Sequence, residues 1–384
     1  MHVHIEKAQL EEGLQVASRA IHGRSPLPIL SHVLLKANQE TLELTATDLD
    51  LGLQTRLPAQ VEEPGSLTCP ARLMSEIVAK LPAGPVELRL VQEGLLAIRS
   101  RRSEFHVSTL PAEEFPSLPS ADEAQTICIR QGLLKTMVRR VAVAAASQEE
   151  TRAVMTGLLT LLKADSITLV GTDGRRLACM RRELPLDEAR DTSAVIPARA
   201  LLELVRVLSN DDEDVKVAFT PGQVFFHLPT TSMHCRLLEG TFPDFEKVIP
   251  RNFQRTCRVG KDSLLEGMKR MLIVAQEKQS PHLVRLDFSS DRLRISANTP
   301  DLGSGREEIP VVLEGDDLTI AFNGRYIVDG LSVLEAEELE FSLQDETRSA
   351  VLRPYGETGF DYVLMPVRLR EPVLEEQIRA GVAS

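Results

Sequence analysis

The chain has no tryptophan, and aromatic residues make up only 4% of its 384 positions. Stacking of exposed single-stranded bases on side chains is therefore not expected. No apolar run approaches the length of a membrane-spanning helix, and the opening MHVHIEKAQLEEG has neither a basic n-region nor an apolar h-region. That predicts a cytosolic (cytoplasmic) protein. The five cysteines (Cys69, Cys128, Cys179, Cys235 and Cys257) are odd in number, widely spaced and never in a CxxC pair. Free thiols in a reducing compartment fit this pattern, and a structural zinc does not.

Signatures of catalysis are missing too. There is no GxxxxGK[ST], no GxSxG and no HExxH. The GSG at 303–305 follows a strand and reads as a turn. HVH at 2–4 sets His2 and His4 on one strand face, which by itself is slight evidence for a metal, and none is assigned. TDGRR at 172–176 offers Asp173, and a hydrolase using Asp173 and His106 is a conceivable alternative. It lacks a nucleophile, a metal set or a phosphate loop, and aspartate before glycine after an alternating strand is first a turn. No enzyme and no cofactor are expected.

What is present is threefold repetition. A helix start recurs as CPARLMSEIVAKL (69–81), IPARALLELVRVL (196–208) and FNGRYIVDGLSVL (322–334), with Arg72, Arg199 and Arg325 spaced 127 and 126 residues apart. LTATDLDLG (44–52), LVGTDGRRL (169–177) and ISANTPDLG (295–303) repeat at 125 and 126 residues, and EEFPSL (113–118) echoes GTFPDF (240–245). Each unit opens with helical periodicity, as in Leu10, Leu14, Ala17 and Ile21, or Leu134, Met137, Val138 and Val141. Alternating strands follow, such as Leu42, Leu44 and Ala46, and then the arginine-led helix. The pattern predicts an α+β fold of three repeated domains, at 1–121, 126–250 and 255–369, with a tail at 370–384.

Net charge is −12, from 44 basic and 56 acidic residues, which on its face argues against nucleic acid. The bases nevertheless gather on helices, as in RQGLLKTMVRR (130–140), whereas acids crowd loops such as NDDEDVK (210–216) and EGDD (314–317). A basic stripe on one helix is ordinarily just solvated. One recurring in three domains points to a shared surface for a uniform phosphate backbone. No zinc finger, helix-turn-helix or arginine-rich arm is present to read bases. A scaffold of the same fold that binds peptides but not DNA is the other reading.

These features resemble the bacterial DNA polymerase III beta subunits, the sliding clamps, through GRSPLPILSHVLL (23–35), TATDLDL, PARLM, FHVSTLPAEEFPSL, GTDGRRLA, GTFPDFEKVIP, ANTPD and the closing YVLMPVRL. The resemblance implies a head-to-tail homodimer closed into a ring around double-stranded DNA, with helices lining the inner face and antiparallel sheets outside. It implies DNA contacts at Arg24, Arg72, Gln148, Arg152 and Arg199; Ala153 and Val154 stand where relatives often carry tyrosines. It also implies a hydrophobic cleft for linear motifs of the polymerase III alpha subunit, the clamp loader, other DNA polymerases, mismatch-repair proteins and ligase. The cleft residues carried over are Met155, Thr172, Gly174, Arg175, Arg176, Leu177, Pro243, Lys247, Val248, Ser349, Val363, Leu364, Met365, Pro366, Val367 and Arg368. Dimer closure falls to Phe105 and Val107 with Ile273 and Val274. The tail passes the end of the resemblance, and its Val373, Leu374 and Ile378 are placed to cover the cleft in cis.

Overall fold

The computed structural model describes residues 1–21, 27–120, 126–147, 152–184, 191–209, 212–276, 282–299 and 302–368. Six α-helices occur among them: α1 Lys7–Ala17, α2 Ala71–Lys80, α3 Gln131–Ala142, α4 Ala198–Val205, α5 Lys261–Val274 and α6 Gly324–Ser332. None is long and apolar enough to cross a membrane.

Each helix forms where apolar residues recur at helical spacing. In α1 the buried face is Leu10, Gly13, Leu14 and Ala17; the helix stops there, and Ile21 follows a 3-10 turn in extended conformation. In α3, Leu134, Met137, Val138 and Val141 are all buried. The second helix of each repeat starts directly from a strand, behind Pro70, Pro197 or Asn323. Proline suits that entry because its φ is already fixed and its missing N–H would have had no partner inside the helix. Asn323 instead accepts the N–H of Arg325 through its side chain.

The chain divides into two compact units. The first comprises Met1–Thr136 and Ala194–Glu239, the second Met137–Ser193 and Gly240–Ser384. In the first, a five-stranded antiparallel sheet runs in the order Gln60–Glu63, His2–Glu6, Pro85–Gln92, Leu95–Ser100, Ser103–Ser108. An eight-stranded sheet runs Thr126–Arg130, Asp214–Thr220, Gln223–His227, Thr231–Arg236, Leu51–Pro58, Thr41–Thr47, His32–Asn38, Gly65–Pro70. Helix α1 packs on Thr41–Thr47, Leu51–Pro58 and α2. In the second unit the antiparallel order is Gly157–Lys163, Ser166–Thr172, Arg176–Glu183, Phe360–Leu364, Ala350–Pro354, Glu338–Leu343, Arg255–Gly260, Gly303–Glu314, Arg292–Thr299, Leu283–Phe288, Leu318–Asn323. Helices α5 and α6 pack together there.

Strand pairing accounts for how three repeats group into two compact units. Leu51–Pro58 of the first repeat pairs with Thr231–Arg236 of the second. Arg176–Glu183 of the second pairs with Phe360–Leu364 of the third. Backbone ladders cross both repeat junctions, so the middle repeat is shared between the units. The apolar strand residues expected inside, including Leu42, Leu44, Ala46, Ile167 and Leu169, are buried. Each leucine or isoleucine among them that is removed from water contributes about 1.5–3 kcal/mol.

Candidate functional site

The segment Thr172–Arg176 turns the chain between two strands with its own side chains. Thr172 Oγ1 donates to the Arg176 carbonyl at 2.7 Å and accepts the Gly174 N–H at 3.1 Å. Asp173 Oδ1 accepts the N–H groups of Arg175 and Arg176 at 2.8 and 2.9 Å. Gly174 has φ of +83°, a conformation that favours glycine. Thr47–Leu51 in the first unit repeats this bond for bond: Thr47 Oγ1 donates to Leu51 O and accepts from Leu49 N, and Asp48 Oδ1 accepts from Asp50 N and Leu51 N. There Leu49 occupies the left-handed position with φ of +80°.

Asp173 also accepts from Arg176 Nε at 3.0 Å. The Arg176 guanidinium reaches Asp329 at 2.6 Å and the Tyr362 hydroxyl at 3.4 Å, and lies 4.4 Å from the centre of the Tyr326 ring. Burial alone would disfavour its charge, but Tyr362, Asp329 and Asp173 carry its pKa above the ordinary arginine value. Burial likewise pushes the Tyr362 hydroxyl up. Asp173, with both oxygens spent on the turn, is a structural residue and not a general base.

Above this turn lies a cleft of about 80 Å³. Nine of the residues expected there line it: Thr172, Gly174, Arg175, Arg176, Leu177, Pro243, Val248, Val363 and Met365. Phe245 lines it as well and was missed by the sequence reading; an aromatic two residues after Pro243, in a chain this poor in aromatics, was the available signal. Met365 N donates to the Arg175 carbonyl at 3.0 Å, which fastens the end of the last strand beside the turn. The remaining expected residues do not line the cavity. Met155 is buried beneath, with its Cε facing Gly174. Leu364 is turned into the core. Lys247 is exposed and paired with Asp244 at 2.7 Å, which raises the lysine pKa and lowers that of the aspartate. Val367 N bonds to Ala321 O, and Ser349, Pro366 and Arg368 also lie outside the lining.

Family models cover nearly the whole chain. The N-terminal, central and C-terminal domains of the DNA polymerase III beta subunit match residues 1–119, 128–244 and 246–368. The chain belongs to the DNA polymerase III beta subunit family. The beta sliding clamp of Bacillus subtilis is 32% identical over 95% of this chain and 98% of its own length. That of Escherichia coli is 32% identical over 95% and 99%. Among solved structures, the B. subtilis clamp superposes with a TM-score of 0.91 at 30% identity, covering 96% of this chain and all of that one. The Pseudomonas aeruginosa clamp bound to griselimycin gives 0.90 at 32%, with the same coverage. As a DNA sliding clamp the chain is a non-catalytic processivity factor.

The clamp's expected DNA contacts fare unequally. Arg24 and Gln148 lie outside the described residues, as does the tail with Val373, Leu374 and Ile378. Arg72 on α2 has a side chain 93% exposed, bonded to Glu76 one turn on at 2.8 Å. Arg199 on α4 is only 31% exposed and held by Asp48 at 3.0 Å. Arg152 is exposed just before a 3-10 turn at Ala153–Thr156. The helix stripe needs one correction. Arg140, read from α3 as solvent-facing, is buried and bonded to Glu357 at 2.6 Å, because the aliphatic part of a long side chain packs well wherever a carboxylate meets its end. Leu73 and Leu202 are about half exposed beside the arginines. Of the expected dimer residues, Phe105 and Ile273 are exposed, Val274 is partly so, and Val107 is buried under its own sheet and offers nothing to a partner.

Proposed function

We propose that two copies of this clamp close head to tail into a ring around duplex DNA, with three domains per chain (1–121, 126–250 and 255–369), helices toward the hole and sheets outside. One observation carries this reading: among the described residues, each unit keeps an unpaired stretch of sheet edge beside exposed apolar side chains. Ser103–Ser108, which bears Phe105, pairs on one side only, with Leu95–Ser100. In the second unit residues 303–310 pair only with Arg292–Thr299 before Val311 takes up Val259. Val274 of α5 lies against Gly305 on that stretch, with exposed Ile273 next to it. A free edge invites another strand, and pairing these two edges between copies satisfies both.

Inside such a ring Arg72, Arg152 and Arg199, together with Arg24 and Gln148, contact phosphates. Several of the stripe cations are already paired: Arg72 with Glu76, Arg199 with Asp48, Lys269 with Glu266 and Arg270 with Glu307. Their pull on DNA is correspondingly mild, which suits a grip based on enclosure more than on affinity. The cleft at residues 172–176 takes linear motifs of the polymerase III alpha subunit, the clamp loader, other polymerases, mismatch-repair proteins and ligase. Apolar anchors enter between Leu177, Val248, Phe245 and Val363, and Arg175 stands at the rim. The test is topological. Clamp loaded onto nicked circular DNA by a clamp loader is retained and leaves when the circle is cut. Retention on the linear product equal to that on the circle refutes enclosure.

A further inference from the structure

The strand His2–Glu6 buries Val3 and Ile5 and turns His2 and His4 to the other face of its sheet. Its neighbour on one side is the edge strand Gln60–Glu63. Pairing between the two slips by one residue: Val3 faces Val61 and His4 faces Gln60, but His2 faces Glu63. Glu62 is the extra residue of a bulge, and bulges redirect side chains out of strict alternation. The result is a carboxylate gripping two imidazoles. Glu62 Oε2 lies 2.8 Å from His2 Nδ1, and Oε1 lies 3.2 Å from His4 Nε2.

We propose that His2, His4 and Glu62 form a binding site for a borderline divalent transition-metal ion of the zinc class, one per chain. The three ligand atoms fall within 4.8 Å of one another. In a tetrahedral zinc site with bonds of about 2.0–2.1 Å, neighbouring ligand atoms stand about 3.3 Å apart, so side-chain rotations that draw the cluster in by at most about 1.5 Å suffice. The opposite nitrogen of His2 is already committed: Nε2 lies 2.9 Å from Glu87 Oε1 on the strand Pro85–Gln92. A carboxylate behind a ligating imidazole fixes ring and tautomer, the usual outer support of metal histidines. Charge agrees as well. With neutral imidazoles the cluster carries the two negative charges of Glu62 and Glu87, offset in part by Arg99, which is 3.7 Å from Glu87. Two nitrogens and one carboxylate select zinc, nickel or copper over magnesium, which prefers oxygen ligands in an octahedron. A bound ion would tie the edge strand Gln60–Glu63 to the strand beside it.

The full-length chain without an affinity tag is titrated with Zn²⁺ by calorimetry, with Mg²⁺ as the comparison ion. Because Cys128 is an exposed thiol, Cys128→Ser is titrated in parallel. One zinc site per chain is expected, unaffected by Cys128→Ser. His4→Ala and Glu62→Gln, each altering a side chain at the sheet surface, should weaken it at least tenfold, and Glu87→Ala by about 10–100-fold. Zinc should raise the melting temperature of the parent and leave that of Glu62→Gln unmoved. Zinc binding of equal strength in parent, His4→Ala and Glu62→Gln overturns the assignment, as does loss of the site in Cys128→Ser or no zinc binding at all.

Discussion

Replacing Asp173 by alanine tests whether the cleft stands on its turn. The side chain is 6% exposed and accepts three hydrogen bonds, two from backbone N–H groups and one from Arg176. Alanine strands two amides and removes one of the two carboxylates that hold a guanidinium whose side chain is only 11% exposed. Asp329 remains, so the arginine is not left without a counter-charge. At about 1 kcal/mol for each neutral-donor bond and about 1.5–3 for the charged one, the loss comes to about 3.5–5 kcal/mol. For a unit of this size that lowers the melting temperature by roughly 7–20 °C. Asp173→Asn keeps the Oδ1 acceptor for both amides and gives up the ion pair, so about half the loss is expected. Calorimetric melting reads stability, and fluorescence anisotropy of a labelled peptide from the polymerase III alpha subunit reads the cleft. Peptide affinity should fall more for alanine than for asparagine, because only alanine releases the backbone that bounds the cavity. Equal melting of the two variants would refute the capping argument, and unchanged peptide binding by Asp173→Ala would separate the turn from the cleft.

Two further outcomes follow from the first unit and the proposed ring. Burial lowers the pKa of His234 to about 4 against a partial opposing pull from Asp48, and burial lowers that of His32 too. Because the unfolded chain takes up these protons near pH 6.5 and the folded one does not, stability is full above about pH 6.5 and drains away as pH falls toward 4. His234 accounts for on the order of 3 kcal/mol, and urea titrations of His234→Leu should show a flatter profile; an unaltered slope contradicts it. Phe105→Asp and Ile273→Asp place charge on side chains 41% and 68% exposed, so each should convert dimer to monomer in sedimentation without altering the melting of the isolated chain. Val107→Ala, by contrast, should reduce stability by about 1–2 kcal/mol and leave association intact.

Much of the fold was written in local signals. Thr-Asp at 47–48 and 172–173 and the prolines before Ala71 and Ala198 are demands of the backbone, so they recur with the repeat and are visible without contacts. The cleft residues came from the family resemblance, and of those lining the cavity Thr172, Gly174, Arg175 and Arg176 sit on one of these turns. Partnerships across long sequence separations were not visible. Arg176 with Asp329, Arg140 with Glu357 and Arg199 with Asp48 join distant segments, and on a helical wheel Arg140 and Arg199 look solvent-bound. The pairing of strands across repeat junctions was hidden for the same reason. A bulge, such as that at Glu62, leaves no periodic mark.

The doubled turn carries a lesson about divergence within one polypeptide. Gly52 lies opposite His234 in the first unit as Leu177 lies opposite Val363 in the second. A methyl group on Gly52 would collide with the His234 ring, 2.1 Å from its nearest atom, so the imidazole fills the space directly over that glycine. One turn scaffold therefore carries an imidazole over a glycine in the first unit and the aliphatic walls of Leu177 and Val363 beside the cleft in the second.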